Sequence, residues 1–213
     1  MECWNWEFNR HWLWRIKLIL MDYYVVKWSG PFGFIKPWTA VRDSETFSQQ
    51  FLTPSIIEGI EKKLFPNLLK TPGIHTIAAH RLSYEQLTNQ QEVIQTRGWN
   101  STRKGRGVLF ERPRAVLSRG LLRNPVLHLA FLHQQDAELA FSQHICLCRN
   151  EDMVFPEGIT RTTKDQFETS AELFPGYELV FEASEKSFLV GFHRATGLPM
   201  YGWIRTVGQP VNA

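Results

Sequence analysis

The chain has 213 residues, of which 43% are apolar and 21% charged, and this balance is typical of a globular protein and excludes a disordered one. The formal net charge is only +3, so the overall charge does not identify a partner. Three cysteines, two of them in Cys146-Leu147-Cys148, do not form a disulfide framework, which favours a reducing cytoplasm. The length suits one large domain or two small ones.

Residues 1–20 differ from the rest of the chain because they contain four tryptophans and several interrupting cations. The segment lacks the uninterrupted apolar core of a signal peptide, and it lacks the roughly 20 apolar residues of a transmembrane helix. The simpler interpretation is an extension ahead of a start at Met21, outside the fold. The alternative is an amphipathic arm that docks a partner or a membrane surface. In both cases we expect a soluble cytoplasmic protein whose residues 21–213 form a single domain.

The stretch from Val26 to Leu64 predicts a strand, a long loop and a helix. Thr53 is suited to the N-cap and Pro54 to the first helical position. Ile57, Ile60 and neighbouring apolar residues recur at helical spacing, which predicts a helix over roughly 54–65 with one buried face. The helix should end before the proline at position 66.

The remaining elements follow from apolar runs and turn residues. We predict strands at Tyr23–Trp28, Phe32–Ile35, Ile74–Leu82, Pro125–His133, Tyr177–Ala183, Ser187–Phe192 and Met200–Val207. Ser83–Gln91 is polar and suggests a loop or a short helical turn. Asp136 can cap a second helix that runs to about Arg149. The order of these elements predicts an α+β fold that is ferredoxin-like with insertions.

The strongest charge asymmetry lies between Arg97 and Arg123, where eight cations face a single acid, Glu111. Glycines interleave with the cations, and Val108–Phe110 and Ala115–Leu117 resemble short strand arms. The pattern predicts a mobile basic β-hairpin, about residues 92–123, that projects from the sheet. Such a charge run is often only a solvated surface. Here the imbalance and Trp99 favour binding to nucleic acid.

Motifs for other chemistry are missing from the sequence. Neither G-x-x-x-x-G-K-[ST] nor G-x-G-x-x-G occurs, and no G-x-S-x-G elbow is present. The histidines are scattered, and Cys146 and Cys148 have no second pair to complete a metal site. His128 fits a core or half-buried histidine better than a ligand. We therefore expect no metal and no cofactor.

The opening stretch resembles the amino-terminal half of the Cas-five family, CRISPR-associated subunits of type I effector (Cascade) complexes, most like its type I-C branch. Members read roughly V-W-G, an aromatic, F, basic-Pro, S, then T-P-S-x-x-x-G-I. The resemblance covers about Val25–Leu64 and continues weakly at Gly73–Leu82, Leu122–Phe131 and the spacing of Pro156 to Arg161. The matching residues are Trp28, Phe34, Lys36-Pro37, Arg42, Ser44, Thr53-Pro54-Ser55 and Gly59-Ile60.

The resemblance implies an RNA-recognition fold of the repeat-associated (RAMP) superfamily with a β-hairpin thumb, and the basic hairpin falls where that thumb would be. It implies binding to the 5′ handle of the guide RNA, in contact with other Cascade subunits and with target DNA only through the complex. It implies no membrane partner. The expected RNA-binding residues are Lys36, Arg42, Arg97, Trp99, Arg103, Lys104, Arg106, Arg112, Arg114, Arg119 and Arg123.

Type I-C members are similar to metal-free ribonucleases that use a tyrosine at the end of helix one and a Lys-His pair on helix two. At the first position this chain has Phe65, which carries no hydroxyl. At the second it has Glu138-Leu139-Ala140, with His144 as a substitute candidate one turn further on. The sequence therefore favours a binding subunit over the alternative, a metal-independent endoribonuclease that processes precursor guide RNA. A third alternative is a non-catalytic interaction subunit that uses the tryptophan-rich arm.

Overall fold

A computed structural model describes residues 22–37, 45–181, 184–193 and 196–211. Within these ranges the fold is a mixed α+β arrangement with few helices and mainly antiparallel strands, as the sequence predicts at that level. The tryptophan-rich segment of residues 1–20 and Arg42 lie outside the described residues.

The strands and helices are numbered here in chain order. The strands are β1 Asp22–Ser29, β2 Phe32–Gly33, β3 Glu45–Phe47, β4 Ile77–Ser83, β5 Gln86–Gln95, β6 Asn100–Lys104, β7 Gly107–Glu111, β8 Arg114–Arg123, β9 Val126–Phe131, β10 Ile145–Cys146, β11 Met153–Thr163, β12 Gly176–Val180, β13 Phe188–Phe192 and β14 Pro199–Val207. The helices are α1 Pro54–Leu64, α2 Gln134–Phe141 and α3 Lys164–Thr169.

The main sheet has eight strands in the order β10-β11-β1-β9-β4-β12-β14-β13. Its centre, β11-β1-β9-β4, is antiparallel at every pairing. Helix α1 lies in the chain between β1 and β4, and α2 lies between β9 and β11. This order and these directions are compatible with a ferredoxin-like arrangement, to which β12, β14 and β13 add three further strands in that order.

Helix α1 begins and ends close to where its sequence predicts. Thr53 is extended and its carbonyl accepts hydrogen bonds from the backbone N–H groups of Ile56 and Ile57, but its side chain makes no capping bond. The helix ends at Leu64, because the proline two residues later cannot continue the ladder. Ile57, Ile60 and Leu64 are buried, so the predicted apolar face packs on the sheet.

The two faces of the sheet bury different side chains, because successive residues of a strand point to opposite sides. On one face, Trp28 and the alternate residues Leu127, Leu129 and Phe131 of β9 pack against α1 and α2. On the other face, Tyr23 and Val25 lie under Phe167 of α3 and Phe174. His128 is also buried, with its ring edge-on to Phe174 at 5.6 Å between centroids, as expected for a core histidine.

Five strands were not predicted, namely β3, β5, β6, β10 and β11, of which β5 and β11 are the longest. Residues 83–91 are not a loop, since most of them belong to β5, whose polar side chains are largely exposed and give no apolar alternation. Strand β11 was not predicted because Pro156 and Gly158, which are typical of turns, lie within it. A β-bulge opposite Lys27 and Trp28 accommodates these two residues in β11. On its other side β11 pairs with β10 only at Met153 and Val154, so Pro156 is not needed as a hydrogen-bond donor to β10.

The prediction for the second helix is wrong at both ends. Its N-cap is His133 and not Asp136, which lies in the first turn. The helix ends at Phe141, well before Arg149, because the chain turns to form β10. The indole N–H of Trp28 donates to the carbonyl of Gln143 at 3.0 Å and ties the chain to the core just past the helix end.

Candidate nucleic-acid interface

Residues 86–123 form a long antiparallel ribbon in two parts. In the base, β5 pairs with β8 from Gln86↔Arg123 to Gln95↔Arg114. In the tip, β6 pairs with β7 in a separate ladder. The backbone N–H of Thr96 donates to the carbonyl of Pro113 at 3.0 Å between the two ladders. The predicted arms are both strands, but they do not pair with each other, and the ribbon begins earlier than residue 92.

The cations of the ribbon divide into two groups. Arg119 and Arg123 lie in the base, where Arg119 pairs with Glu92 at 2.6 Å and Arg123 with Glu85 at 3.4 Å. These acids precede the basic stretch in the chain, so the charge count along the sequence missed them. The other six side chains are exposed and have no ion pair among the described residues: Arg97, Arg103, Lys104, Arg106, Arg112 and Arg114.

Exposed apolar side chains accompany the unpaired cations. Trp99 is 57% exposed, and the guanidinium of Arg112 lies 4.4 Å from the centre of its ring. Val108, Leu109 and Phe110 are all more than half exposed on the tip. Cations beside an exposed aromatic ring give the ribbon both phosphate-binding and base-stacking groups.

The remaining expected contacts lie near the base of the ribbon. Lys36 is exposed and follows β2, which pairs with β8 through Phe32↔Arg123 and Gly33↔Leu122. Arg119 is held twice, by its ion pair and by the Phe34 ring 5.4 Å from its guanidinium carbon. These two contacts give Arg119 a structural role in the base of the ribbon.

A cavity of about 420 Å³ opens at the foot of the ribbon. It is lined by Pro37, the segment 48–51, Tyr177 and Ile204. Strand β3 runs parallel to β8, and the backbone N–H of Ser48 donates to the carbonyl of Gly120 at 2.8 Å, which fixes the cavity floor to the ribbon. Sequence reasoning missed this cavity, because Tyr177 and Ile204 reach it from strands far away in the chain.

The positions that the family resemblance links to catalysis supply no acid–base pair. Phe65 is buried, with its ring edge-on to Phe131 at 6.0 Å. Glu138 is exposed and Ala140 is buried on α2. His144 lies beyond the end of α2 and not one turn further along it, and its exposed ring is tilted against Phe155 at 6.1 Å. The helical geometry predicted for His144 is therefore wrong.

Cys146 and Cys148 are free thiols, and neither lies on a helix. In the part of the chain that the structure describes, no three histidine, cysteine, aspartate or glutamate side chains are grouped so that they could hold a metal ion. No helix there is long and apolar enough to cross a membrane.

No protein-family model matches this sequence, and no curated protein matches it. Among solved structures, one similar chain belongs to a structure titled "CRISPR RNA-guided surveillance complex". The alignment covers 89% of this chain and 90% of that chain, at 12% sequence identity and a TM-score of 0.48.

Proposed function

We propose that this protein is an RNA-binding subunit of a type I CRISPR effector (Cascade) complex, similar to the Cas-five family, and that it holds the 5′ handle of the guide RNA. The observation that carries the proposal is the ribbon, which carries an exposed tryptophan and six cations that form no ion pair with any described residue. The sequence resemblance over Val25–Leu64 supports the family, including its type I-C branch.

The chemistry of the ribbon suits single-stranded RNA. Phosphates bind exposed arginine and lysine side chains, and unstacked bases bind aromatic faces. One face of the Trp99 ring carries Arg112, so a base stacks on the other. A rigid base, in which β5 and β8 are paired along their whole length, carries this tip away from the main sheet. In this proposal Arg97, Arg103 and Arg114 meet successive phosphates along the ribbon.

The fold fits the same role. In the proposal the ferredoxin-like centre β11-β1-β9-β4 is the RAMP core, and the ribbon is the thumb inserted between β4 and β9. Cascade subunits bury apolar surface against one another, and Val108, Leu109 and Phe110 offer such surface beside the cations. The protein acts in the cytoplasm and reaches target DNA only through the complex.

The triple variant Arg103→Ala, Lys104→Ala, Arg106→Ala tests the ribbon. Each neutralised phosphate of a single strand contributes about 0.7 to the slope of log affinity against log salt concentration. We expect the variant to make that slope shallower by about two. Fluorescence anisotropy with labelled repeat RNA at several salt concentrations measures it.

The matched control is Lys70→Ala, Lys164→Ala, Lys186→Ala, which removes the same amount of charge away from the ribbon. This control should keep the slope of the unmodified protein. Equal slopes for the two triple variants, or RNA affinity that does not depend on salt, would contradict the proposal. Incubating the RNA with the protein in chelator, followed by gel analysis, separates binding from metal-independent cleavage, for which we expect intact RNA.

A further inference from the structure

The cavity at the foot of the ribbon has the features of a nucleobase site. We propose that this cavity binds one base of the RNA strand held by the ribbon. This inference rests on the proposed function, because it assigns the ligand of a site next to the ribbon. Its volume of about 420 Å³ lies within the range of small-ligand pockets. Among the described residues, the lining contains no charged side chain, so the cavity suits a neutral planar group and not a phosphate.

Gln49 provides the first polar contact of the site. Gln49 as a residue is only 7% exposed, and its amide makes no hydrogen bond with any described residue. The amide is not a buried group without a partner, so its polar atoms are open to solvent at the cavity. An amide offers one acceptor and two donors, which is the pattern that pairs with two neighbouring atoms on the edge of a base. A bound base would therefore replace water on Gln49.

Gln50 provides a second amide, and Tyr84 positions it. The phenol O–H of Tyr84 donates to Oε1 of Gln50 at 2.5 Å. Burial raises the pKa of Tyr84 to about 12, with Tyr177 adding to the rise, so the phenol stays protonated and remains a donor. With its oxygen occupied, Gln50 has its N–H₂ group left to donate. Tyr84 is in this sense a positioning residue.

Aromatic walls complete the site. Tyr177 and Phe51 both line the cavity, and the Tyr177 ring packs at 37° against Tyr84 with 6.4 Å between centroids. Bases stack on such rings irrespective of their identity, whereas the glutamine amides distinguish their edges. Ile204 provides apolar contact. The site therefore combines general affinity for bases with selectivity among them.

The site adjoins the proposed RNA track. The backbone N–H of Ser48 donates to the carbonyl of Gly120 in β8, so the segment that forms the cavity floor is hydrogen-bonded to the base of the ribbon. A strand whose phosphates lie on the ribbon cations can turn one base into the cavity without leaving the protein surface. A protein side chain from a neighbouring subunit is the competing occupant, and it predicts no selectivity for RNA bases.

The experiment compares binding of the full chain to single strands of about 12 nucleotides: poly-A, poly-C, poly-U and an abasic ribose-phosphate strand of equal charge. We expect at least one homopolymer to bind about tenfold more tightly than the others. Gln49→Leu and Ile204→Trp should each reduce this selectivity to less than about threefold while leaving the salt slope unchanged. Tyr84→Phe should reduce it in part.

The outcomes separate the site from the function on which it rests. Equal affinities for the homopolymers, or selectivity that survives both Gln49→Leu and Ile204→Trp, would overturn the base site and leave the ribbon proposal standing. If the unmodified protein binds none of the strands, both the base site and the ribbon proposal are overturned. The triple variant of the ribbon should bind all strands more weakly by the same factor and keep the selectivity among them. Thermal unfolding measurements establish that each variant is folded. If Gln49→Leu does not fold, Ile204→Trp still tests the site, because Ile204 is a half-buried residue of the cavity wall.

Discussion

Glu61 stabilises the start of β4 through a single buried carboxylate. The side chain is fully buried on α1, and it accepts hydrogen bonds from the backbone N–H groups of His75, Thr76 and Ile77 at 2.5–3.0 Å. Hydrogen bonds to a charged acceptor are stronger than neutral ones, and three of them converge here. The loop 74–77 is thus fixed to the helix before the strand begins.

Glu61→Ala should lower the free energy of unfolding by roughly 3 kcal/mol, because three N–H groups, of which that of Ile77 is buried, lose their acceptor. Urea denaturation followed by circular dichroism measures the change. Glu138→Ala, at an exposed position on α2, is the control and should stay within about 0.5 kcal/mol of the unmodified protein. Equal effects for the two variants would show that the Glu61 carboxylate contributes no more than a surface acid.

The roles of these individual side chains could not be predicted from the sequence. Glu61 stands beside Lys62 and Lys63 and looks like part of a solvated helix face. Its burial depends on the return of residues 74–77, which no local pattern encodes. The same reason explains why Glu92 was not recognised as the partner of Arg119, since that pair forms only when β5 and β8 are in register.

At the scale of elements, the contact between β3 and β8 joins the ribbon to the cavity. Phe47 of β3 packs flat over Gly120 of β8, where a Cβ atom would lie 2.2 Å from the ring carbon Cδ1 of Phe47. A side chain at position 120 would therefore have to displace this ring. Because Ser48 bonds to the carbonyl of Gly120, the position of this strand also sets the cavity floor.

Gly120→Ala should displace Phe47 and reduce the free energy of unfolding by about 1–3 kcal/mol, since the added methyl group overpacks the contact. Chemical denaturation of the single variants and of the double variant Phe47→Ala, Gly120→Ala forms a mutant cycle. We expect the double variant to be more stable than the sum of the single effects predicts. Strictly additive effects would mean that the ring does not restrict the glycine.

Elements with strong local signals were predicted, and those held by distant partners were not. The Thr53-Pro54 start and the apolar stripe identified α1, and apolar runs identified β1, β9 and the C-terminal strands. Strand β5 is polar on both faces and exists because β8 pairs with it. The basic stretch predicted a hairpin but not its division into base and tip, which depends on cross-strand pairing.

For the whole molecule, the buried His128 and the half-buried His80, whose Nε2 atom is buried, couple stability to pH. Burial lowers the pKa of His80 to about 4, with Arg81 contributing, and burial lowers the pKa of His128 to about 4, with Lys27 and Arg81 contributing. Between about pH 6.5 and pH 4 the unfolded chain takes up protons at these residues that the folded protein does not. Folding stability is therefore complete above this window and falls as the pH decreases through it.

The free energy of unfolding at pH 4.5 should be lower than at pH 7 by on the order of 2 kcal/mol for each of the two histidines. His128→Leu should remove part of this pH dependence, because the neutral side chain takes up no proton in the unfolded state. His133→Gln, at an exposed position, is the control and should leave the dependence unchanged. Urea titrations at several pH values measure the three proteins, and a flat profile for the unmodified chain would contradict the prediction.

The separation of the ribbon into two ladders has a consequence for how this protein can diverge. Each ladder closes its own backbone hydrogen bonds, and Thr96 and Pro113 mark the junction. An insertion or deletion beyond that junction leaves the β5–β8 register intact, and with it the contact of β8 with β3. The length and composition of the tip can therefore change while the base of the ribbon and the core keep their structure.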